Sequence, residues 1–173
     1  MNRCTWIVGL ISSLLLAGCS TPEGPASHLP KANVLPLALD EGYQFRKILL
    51  TSFSPDHIQP ETKSESILFE RARLTYGAVD FTEIERRRGN YYTIFWRNST
   101  RSDVTLRLEY RQAGLASHVI AKERHYPDSL GSHRSTFEVT GDEFLENGPV
   151  TAWRAVLIVD GRIVALRQSH MWR

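Results

Sequence analysis

The apolar residues of this chain recur mostly with the period of a β-strand, and that period limits the folds open to it. From Tyr43 onward, no apolar stripe with a 3.6-residue period extends beyond about two helical turns. Short runs follow one another instead, separated by turn residues, a spacing typical of a sandwich or barrel. We predict strands over residues 45–53, 67–76, 79–87, 91–98, 104–111, 118–126, 135–140, 152–159 and 163–170.

The strictest alternation lies in residues 104–111, where apolar and polar side chains take turns. We expect the apolar set to face the core and the polar set to face water, because successive side chains of a strand point to opposite faces. The apolar set is Val104, Leu106, Leu108 and Tyr110, and the polar set is Thr105, Arg107, Glu109 and Arg111.

Two further features orient the sheet. Asp160 and Gly161 separate the last two apolar runs, and this pair suits the positive φ angles of a type I′ hairpin turn. The last two strands are therefore predicted to be antiparallel neighbours. Trp96 shares a strand face with Tyr92 and Ile94, so we predict Trp96 to be the central core residue.

Seven to nine strands, with a tryptophan in one strand and an alternating strand after the next polar loop, are similar to the immunoglobulin and fibronectin type III sandwiches. The resemblance covers roughly residues 67–172 and concerns architecture. It implies an all-β, antiparallel, immunoglobulin-like β-sandwich. The sequence lacks the diagnostic cysteine pair of that class, so a jelly roll or a small barrel stays open.

The N-terminus is interpreted as an export signal that is removed. Residues 1–18 combine one charge, Arg3, with an apolar stretch over 6–16 and two small residues, Ala17 and Gly18. A membrane-spanning helix needs about 20 apolar residues, and this stretch of roughly 11 is too short for one. It is therefore predicted to be a cleaved signal peptide.

Leu16-Ala17-Gly18-Cys19 resembles the lipobox of bacterial lipoproteins. The resemblance implies cleavage before Cys19 and attachment of lipid to its sulfur, usually with a further acyl chain on its amine. Two or three acyl chains hold a protein in a membrane essentially permanently. Ser20 follows the lipidated cysteine, which implies the periplasmic face of the outer membrane rather than the inner membrane.

These features divide the chain into three parts. We predict a signal peptide over residues 1–18, a lipidated N-terminus and flexible tether over 19–42, and a β-sandwich domain over 43–173. The tether is rich in proline, which favours an extended, semi-rigid segment. Since Cys4 leaves with the signal and Cys19 carries lipid, the mature protein is expected to have no disulfide and no free thiol.

The charge balance argues against a nucleic-acid partner. The chain has 21 Lys and Arg against 19 Asp and Glu, a formal net charge of +2, far from the strongly basic balance of nucleic-acid-binding domains. Residues 86–88 are three consecutive arginines, which we interpret mainly as a solvated end of a strand, although they could contact anionic headgroups. No cofactor motif is present.

The spacing of the histidines and carboxylates gives little support for a catalytic or metal-binding site. The histidines do not form the i, i+2 or i, i+4 pairs that bring two ligands together on one face, so no metal site is predicted. Glu109 with Glu123, or Asp142 with Glu143, could form the acid and base pair of a hydrolase. Arginines flank Glu109 and basic residues flank Glu123, so we expect cross-strand ion pairs instead. The histidines considered as ligands are His118, His125, His133 and His170, four of the six in the chain.

Aromatic residues supply the remaining candidate site. Tyr91 and Phe95 oppose the face that carries Trp96, so not all aromatics can enter one core. An exposed strip of Tyr91, Phe95, Tyr126 and Trp153 could bind a glycan or a protein. The alternative is a second covered face, packed by the tether or by the first strand.

The sequence therefore predicts a non-catalytic, membrane-anchored envelope lipoprotein that presents a β-sandwich for protein–protein interaction. A glycan- or peptidoglycan-binding module is the alternative, and a carboxylate-dependent hydrolase is a third. The expected partners are the membrane, through lipid on Cys19, and an unknown envelope protein or glycan.

Overall fold

The computed structural model describes residues 25–55, 78 and 80–172. Six strands, two short helices and one 3₁₀ turn make up this part of the chain. The strands are β1 (Ser27–Leu29), β2 (Tyr43–Phe53), β3 (Gly89–Gln112), β4 (Ile120–Thr140), β5 (Val150–Val159) and β6 (Arg162–Gln168). The helices are α1 (Phe81–Arg86) and α2 (Asp142–Asn147), and the 3₁₀ turn is Ala113–Leu115.

The sheet is built around one long antiparallel pair, β3 with β4. One edge of β3 pairs with β4 along most of its length. The other edge pairs with β2 in its first half and with β5 in its second half. β6 extends the sheet beyond β5, and β1 pairs with the beginning of β4. All these pairings are antiparallel.

The two halves of β3 belong to two layers that share one core. The register of β3 with β4 shifts between Asn98 and Val104, which separates the halves. Core side chains from the first half, such as Ile94, pack in one cluster with core side chains from the second half, such as Leu108. We call β2, the first half of β3 and the second half of β4 the first layer. The second layer consists of the rest of β3 and β4 with β5, β6 and β1.

This arrangement confirms the prediction of an all-β, antiparallel, sandwich-like fold. It contains fewer and longer described strands than expected. The predicted strands 91–98 and 104–111 are one continuous strand, β3, and 118–126 with 135–140 form β4. The predicted strand 67–76 lies outside the described residues.

The prediction of a strand over residues 79–87 was wrong, because residues 81–86 form helix α1. The Asp80 side chain accepts a hydrogen bond from the backbone N–H of Glu83, at 2.7 Å, and so caps the first turn. Acidic Glu83 and basic Arg86 lie at the ends where the helix dipole favours them. This local capping outweighs the strand-like spacing of the apolar residues.

Trp96 is the central core residue, as predicted. It is fully buried, and its indole N–H donates to the hydroxyl of Ser135 at 2.9 Å. The hydroxyl of Tyr126 donates to the same oxygen at 2.5 Å. The ring of His133 stacks on the indole, with centroids 4.2 Å apart. Aromatic packing and satisfied polar groups therefore stabilise the middle of the sandwich.

The predicted hairpin between the last two strands is confirmed. Val159 pairs with Arg162, and the two intervening residues, Asp160 and Gly161, have φ angles of 49° and 70°. Positive φ at both central positions is what a type I′ turn requires.

Residues 25–42, which belong to the predicted tether and which we call the strap, lie against the sandwich. β1 pairs with Ala121–Glu123 of β4, and the carbonyl of Asn33 accepts from Arg107 of β3 at 3.0 Å. Leu35 packs on the small apolar cluster of β5 and β6. At the far edge the N–H of Asp40 donates to the carbonyl of Val164 at 2.9 Å. The strap therefore crosses the outer face of the second layer from one sheet edge to the other.

Candidate functional site

The four aromatic residues predicted to form one exposed strip do not share a face. Tyr126 lies in the core, where its ring packs edge-on against Trp96. Trp153 is half-buried and packs edge-on against Tyr92, also on the core side. Only Tyr91 and Phe95 lie on the outer face of the first layer, and both are half-buried. The interpretation of these four residues as one binding face is therefore corrected to two separate groups.

The outer face of the first layer surrounds Phe95 with cations. Antiparallel pairing sets Lys47 of β2 on one side of Phe95 and Arg134 of β4 on the other, with all three side chains on the same face. Arg97 follows two residues along β3 and so points to that face as well. We call Lys47, Phe95, Arg97 and Arg134 the basic face.

The cations of the basic face have no carboxylate partner among residues 25–55 and 80–172. Lys47 and Arg134 are exposed, and Arg97 is half-exposed. On the same side, Glu138 pairs with Tyr91 at the far end of the sheet, two rows away from Phe95. Because three cations meet no paired acid, the basic face carries a local positive potential that an anionic surface would complement.

The predicted ion pairs around Glu109 are present, but they are buried rather than on a wet face. The side chain of Glu109 is 2% exposed, and its Oε2 accepts from Nε and Nη2 of Arg154 at 2.8 and 2.5 Å. Its Oε1 lies 3.6 Å from Nη1 of Arg107, and Nε of the same arginine donates to Glu123 at 2.5 Å. The strap covers Arg107, and the ring of Trp172 lies 5.1 Å from the guanidinium of Arg154. Both oxygens of Glu109 are thus engaged by arginines.

A second carboxylate cluster lies at one end of the sandwich. Glu143 of α2 accepts from the hydroxyl of Tyr110 and from Lys122, the latter at 2.7 Å. His28 of β1 is 3.9 Å from the same carboxylate. Burial and then the Glu143 carboxylate raise the pKa of the Tyr110 hydroxyl far above its ordinary value. Tyr110 therefore stays protonated and donates, and Glu143 serves as a structural acceptor.

The histidines make separate structural contacts. His118 donates to the carbonyl of Pro30 at 2.6 Å, and His125 lies 3.2 Å from the hydroxyl of Thr105. His133 is half-buried and stacks on Trp96, and this burial lowers its pKa. Within the described part of the chain, no group of three His, Cys, Asp or Glu side chains could hold a metal ion.

A groove of about 520 Å³ lies where the beginning of β2 approaches β6. Its walls come from two strand edges rather than from a sheet face. Leu39 and Leu166 expose 65% and 37% of their surface there. The lining residues include Leu39, Glu41, Tyr43, Phe45, Leu166 and Arg167. We call this the edge groove.

Sequence reasoning missed both the edge groove and the basic face. The groove joins residues separated by more than 100 positions, and no local pattern reports such proximity. A signal for the basic face was present, because Phe95 and Arg97 share a strand face in the predicted strand 91–98. The register that adds Lys47 and Arg134 comes only from the sheet pairing.

Comparison with known proteins supplies no relative. No protein-family model, no curated protein and no solved structure matches this chain. The helices within residues 25–172 that the structure describes are too short and polar to cross a bilayer. Cys19, the predicted lipidation site, lies outside the described residues.

Proposed function

We propose that this protein is a non-catalytic envelope lipoprotein, anchored through lipid on Cys19, whose edge groove captures an extended segment of a protein partner. The observation that carries the proposal is the groove itself, bounded by two strand edges. Sheet edges bind partners by adding a strand, since their outward N–H and C=O groups are available for pairing.

The direction of the backbone groups in the groove supports strand addition. The N–H of Ser169 donates to the carbonyl of Trp153 at 2.8 Å, so residues 153 and 169 form a hydrogen-bonded pair of β5 and β6. Such pairs alternate along an antiparallel ladder. Leu166, three positions before Ser169, is therefore in a pair whose N–H and C=O point away from β5, toward the groove.

The beginning of β2 offers matching groups from the other side. The N–H of Ser99 donates to the carbonyl of Gly42 at 2.9 Å, which makes residues 42 and 99 a hydrogen-bonded pair. By the same alternation, Phe45 of β2 directs its N–H and C=O away from β3. The strap already pairs with Ile163 and Val164 of β6, so an incoming strand would meet the outward groups of Leu166 and Phe45 in the rest of the groove.

The free edge of β4 is a poorer docking edge. β1 covers Ala121–Glu123. In the second half of β4, Arg124 donates to the carbonyl of Thr136 at 3.0 Å, and Lys122 donates to the carbonyl of Glu138 at 2.5 Å. Side chains that occupy edge carbonyls oppose strand addition, which favours the edge groove as the interaction site.

The test of strand capture is Leu166→Pro, with Leu166→Ala as the matched control. Proline removes the outward N–H that would pair with the incoming strand, and an edge strand tolerates it where that N–H faces outward. A photo-crosslinking residue in place of Gln44, an exposed position in the groove, should yield an adduct with one partner in living cells. We expect Leu166→Pro to abolish that adduct and Leu166→Ala to retain it. Equal adduct yield in both variants would exclude backbone pairing at β6.

The anchor has its own test. The intact mass of membrane-extracted protein should correspond to a mature chain that begins at Cys19 and carries acyl mass, and Cys19→Ser should lack that mass. A soluble, unmodified chain would exclude the anchor and leave the edge groove as a feature of a secreted protein.

A further inference from the structure

We infer that the basic face lies on anionic phospholipid headgroups of the membrane that holds the anchor. The inference goes beyond partner capture, and it rests on the proposed anchoring for its geometry. It assigns a role to the outer face of the first layer, which the edge groove reaches only at Gln44 among the described residues.

The first argument is the charge arrangement. Lys47, Phe95 and Arg134 form one row across three strands, so their backbones span about 10 Å at the usual strand spacing. Arg97 adds a third cation on the same face. A phenylalanine between cations fits a membrane surface, where Phe enters the boundary of headgroups and acyl chains and Lys and Arg meet lipid phosphates.

The second argument is the composition of the neighbouring rows. Next to Phe95 the face carries Leu49, Thr93 and Thr136, which are apolar or uncharged. A glycan site would place acidic or amide side chains beside a stacking ring to bind sugar hydroxyls. The one amide in the adjoining row is Gln44, which pairs with Arg97. The surroundings of Phe95 therefore favour an anionic surface over a sugar.

The third argument is the position of the anchor. The strap enters the fold at Ala26, where the two layers meet, in a cleft lined by Lys122 of the second layer and by Phe137 and Glu138 of the second half of β4. That strand is part of the first layer. The six peptide units from Cys19 to Pro25 can span about 20 Å at most, so lipid on Cys19 would keep this layer near the bilayer. The basic face is then within reach of the headgroups.

The test uses the mature chain, residues 19–173, with Cys19→Ser, so that binding depends on the protein surface alone. All described residues are retained in it. The protein is co-sedimented with vesicles of phosphatidylcholine, either pure or mixed with phosphatidylglycerol. We expect binding to the mixed vesicles only, weakened by added salt because the contact is electrostatic.

The variant that tests the face combines Lys47→Gln, Arg97→Gln and Arg134→Gln. Each cation near an anionic surface strengthens membrane binding by roughly fivefold, so removal of all three should weaken the partitioning of the triple variant roughly hundredfold. The matched control changes three exposed cations elsewhere, Lys31→Gln, Arg162→Gln and Arg167→Gln. It alters net charge by the same amount and should bind almost as the parent does.

Three results would overturn the inference. Equal loss in the two triple variants would mean that only net charge matters. Equal binding to pure phosphatidylcholine would exclude headgroup recognition. Retention on wall polysaccharide that Phe95→Ala abolishes, with no vesicle binding, would assign the face to a glycan. Because the chain used for vesicle binding lacks lipid, absence of lipid on Cys19 in the native protein would be detected by the intact-mass measurement and would not alter the vesicle result.

Discussion

Replacing Glu109 by glutamine should destabilise the fold by about 2–3 kcal/mol, because it removes a buried counter-charge. Breaking a buried ion pair costs about 3–5 kcal/mol. Arg154 is 30% exposed at its side chain and rehydrates in part, while Arg107 keeps Glu123. Glutamine also retains one acceptor. For these three reasons we expect the loss of stability in Glu109→Gln to lie below the range usual for a broken buried ion pair.

The assay is urea denaturation of the parent and of Glu109→Gln, with the exposed Glu138→Gln as control. The midpoint should fall in Glu109→Gln with an unchanged m-value, and the melting temperature should drop by about 5–10 °C. The control should stay within about 0.5 kcal/mol of the parent. A loss below about 1 kcal/mol for Glu109→Gln would refute a stabilising network. A hydrolase that used Glu109 would instead lose turnover with stability intact.

Three further predictions concern the core and the backbone. Ser135→Ala should cost about 1–3 kcal/mol, since it removes the buried acceptor that Trp96 and Tyr126 share, whereas Ser132→Ala, at an exposed position, should leave the urea midpoint almost unchanged. Burial lowers the pKa of His133 from 6.5, so the folded state prefers the neutral ring. The free energy of unfolding should therefore fall as the pH drops below about 6.5. His133→Phe should flatten this pH dependence, and an unchanged dependence in the variant would contradict the assignment. Gly89→Ala should cost about 3 kcal/mol or more, because its Cβ would lie 2.1 Å from a backbone carbonyl. Gly131→Ala has open space around its Cβ but a φ of 92°, so it should cost only the about 1–2 kcal/mol of a left-handed backbone.

Local sequence patterns predicted correctly those features of the fold that depend on residues adjacent in the chain. The hairpin at Asp160 and Gly161 follows from the φ preferences of two residues, and the burial of Trp96 follows from strand alternation. The sequence also contains the start signal of helix α1. Asp80 followed by Glu83 three positions later is a helix-capping pattern, and α1 begins with that cap in the structure.

Features that depend on distant contacts could not be predicted in this way. Alternation placed Arg107 and Glu109 on the face opposite the core, which is correct, but that face is covered by the strap and by Trp172. Whether the outer face of a sheet is exposed to solvent depends on which distant segments pack on it, and the alternation of apolar residues in a strand carries no information about those segments. The same holds for the basic face, where Lys47 and Arg134 meet Phe95 only through the sheet register.

With Cys19 lipidated as proposed, tension from the membrane would reach Ser27 first and act on the three paired residues Ser27–Leu29 of β1. Loss of the β1 pairing alone would leave the strap held by Arg107 at Asn33 and by β6 at Asp40. The chain between Cys19 and Asn33 could then extend to about 45 Å, against about 20 Å between Cys19 and Pro25. A strand of three residues would in that case set the resting distance between the proposed membrane anchor and the folded sandwich.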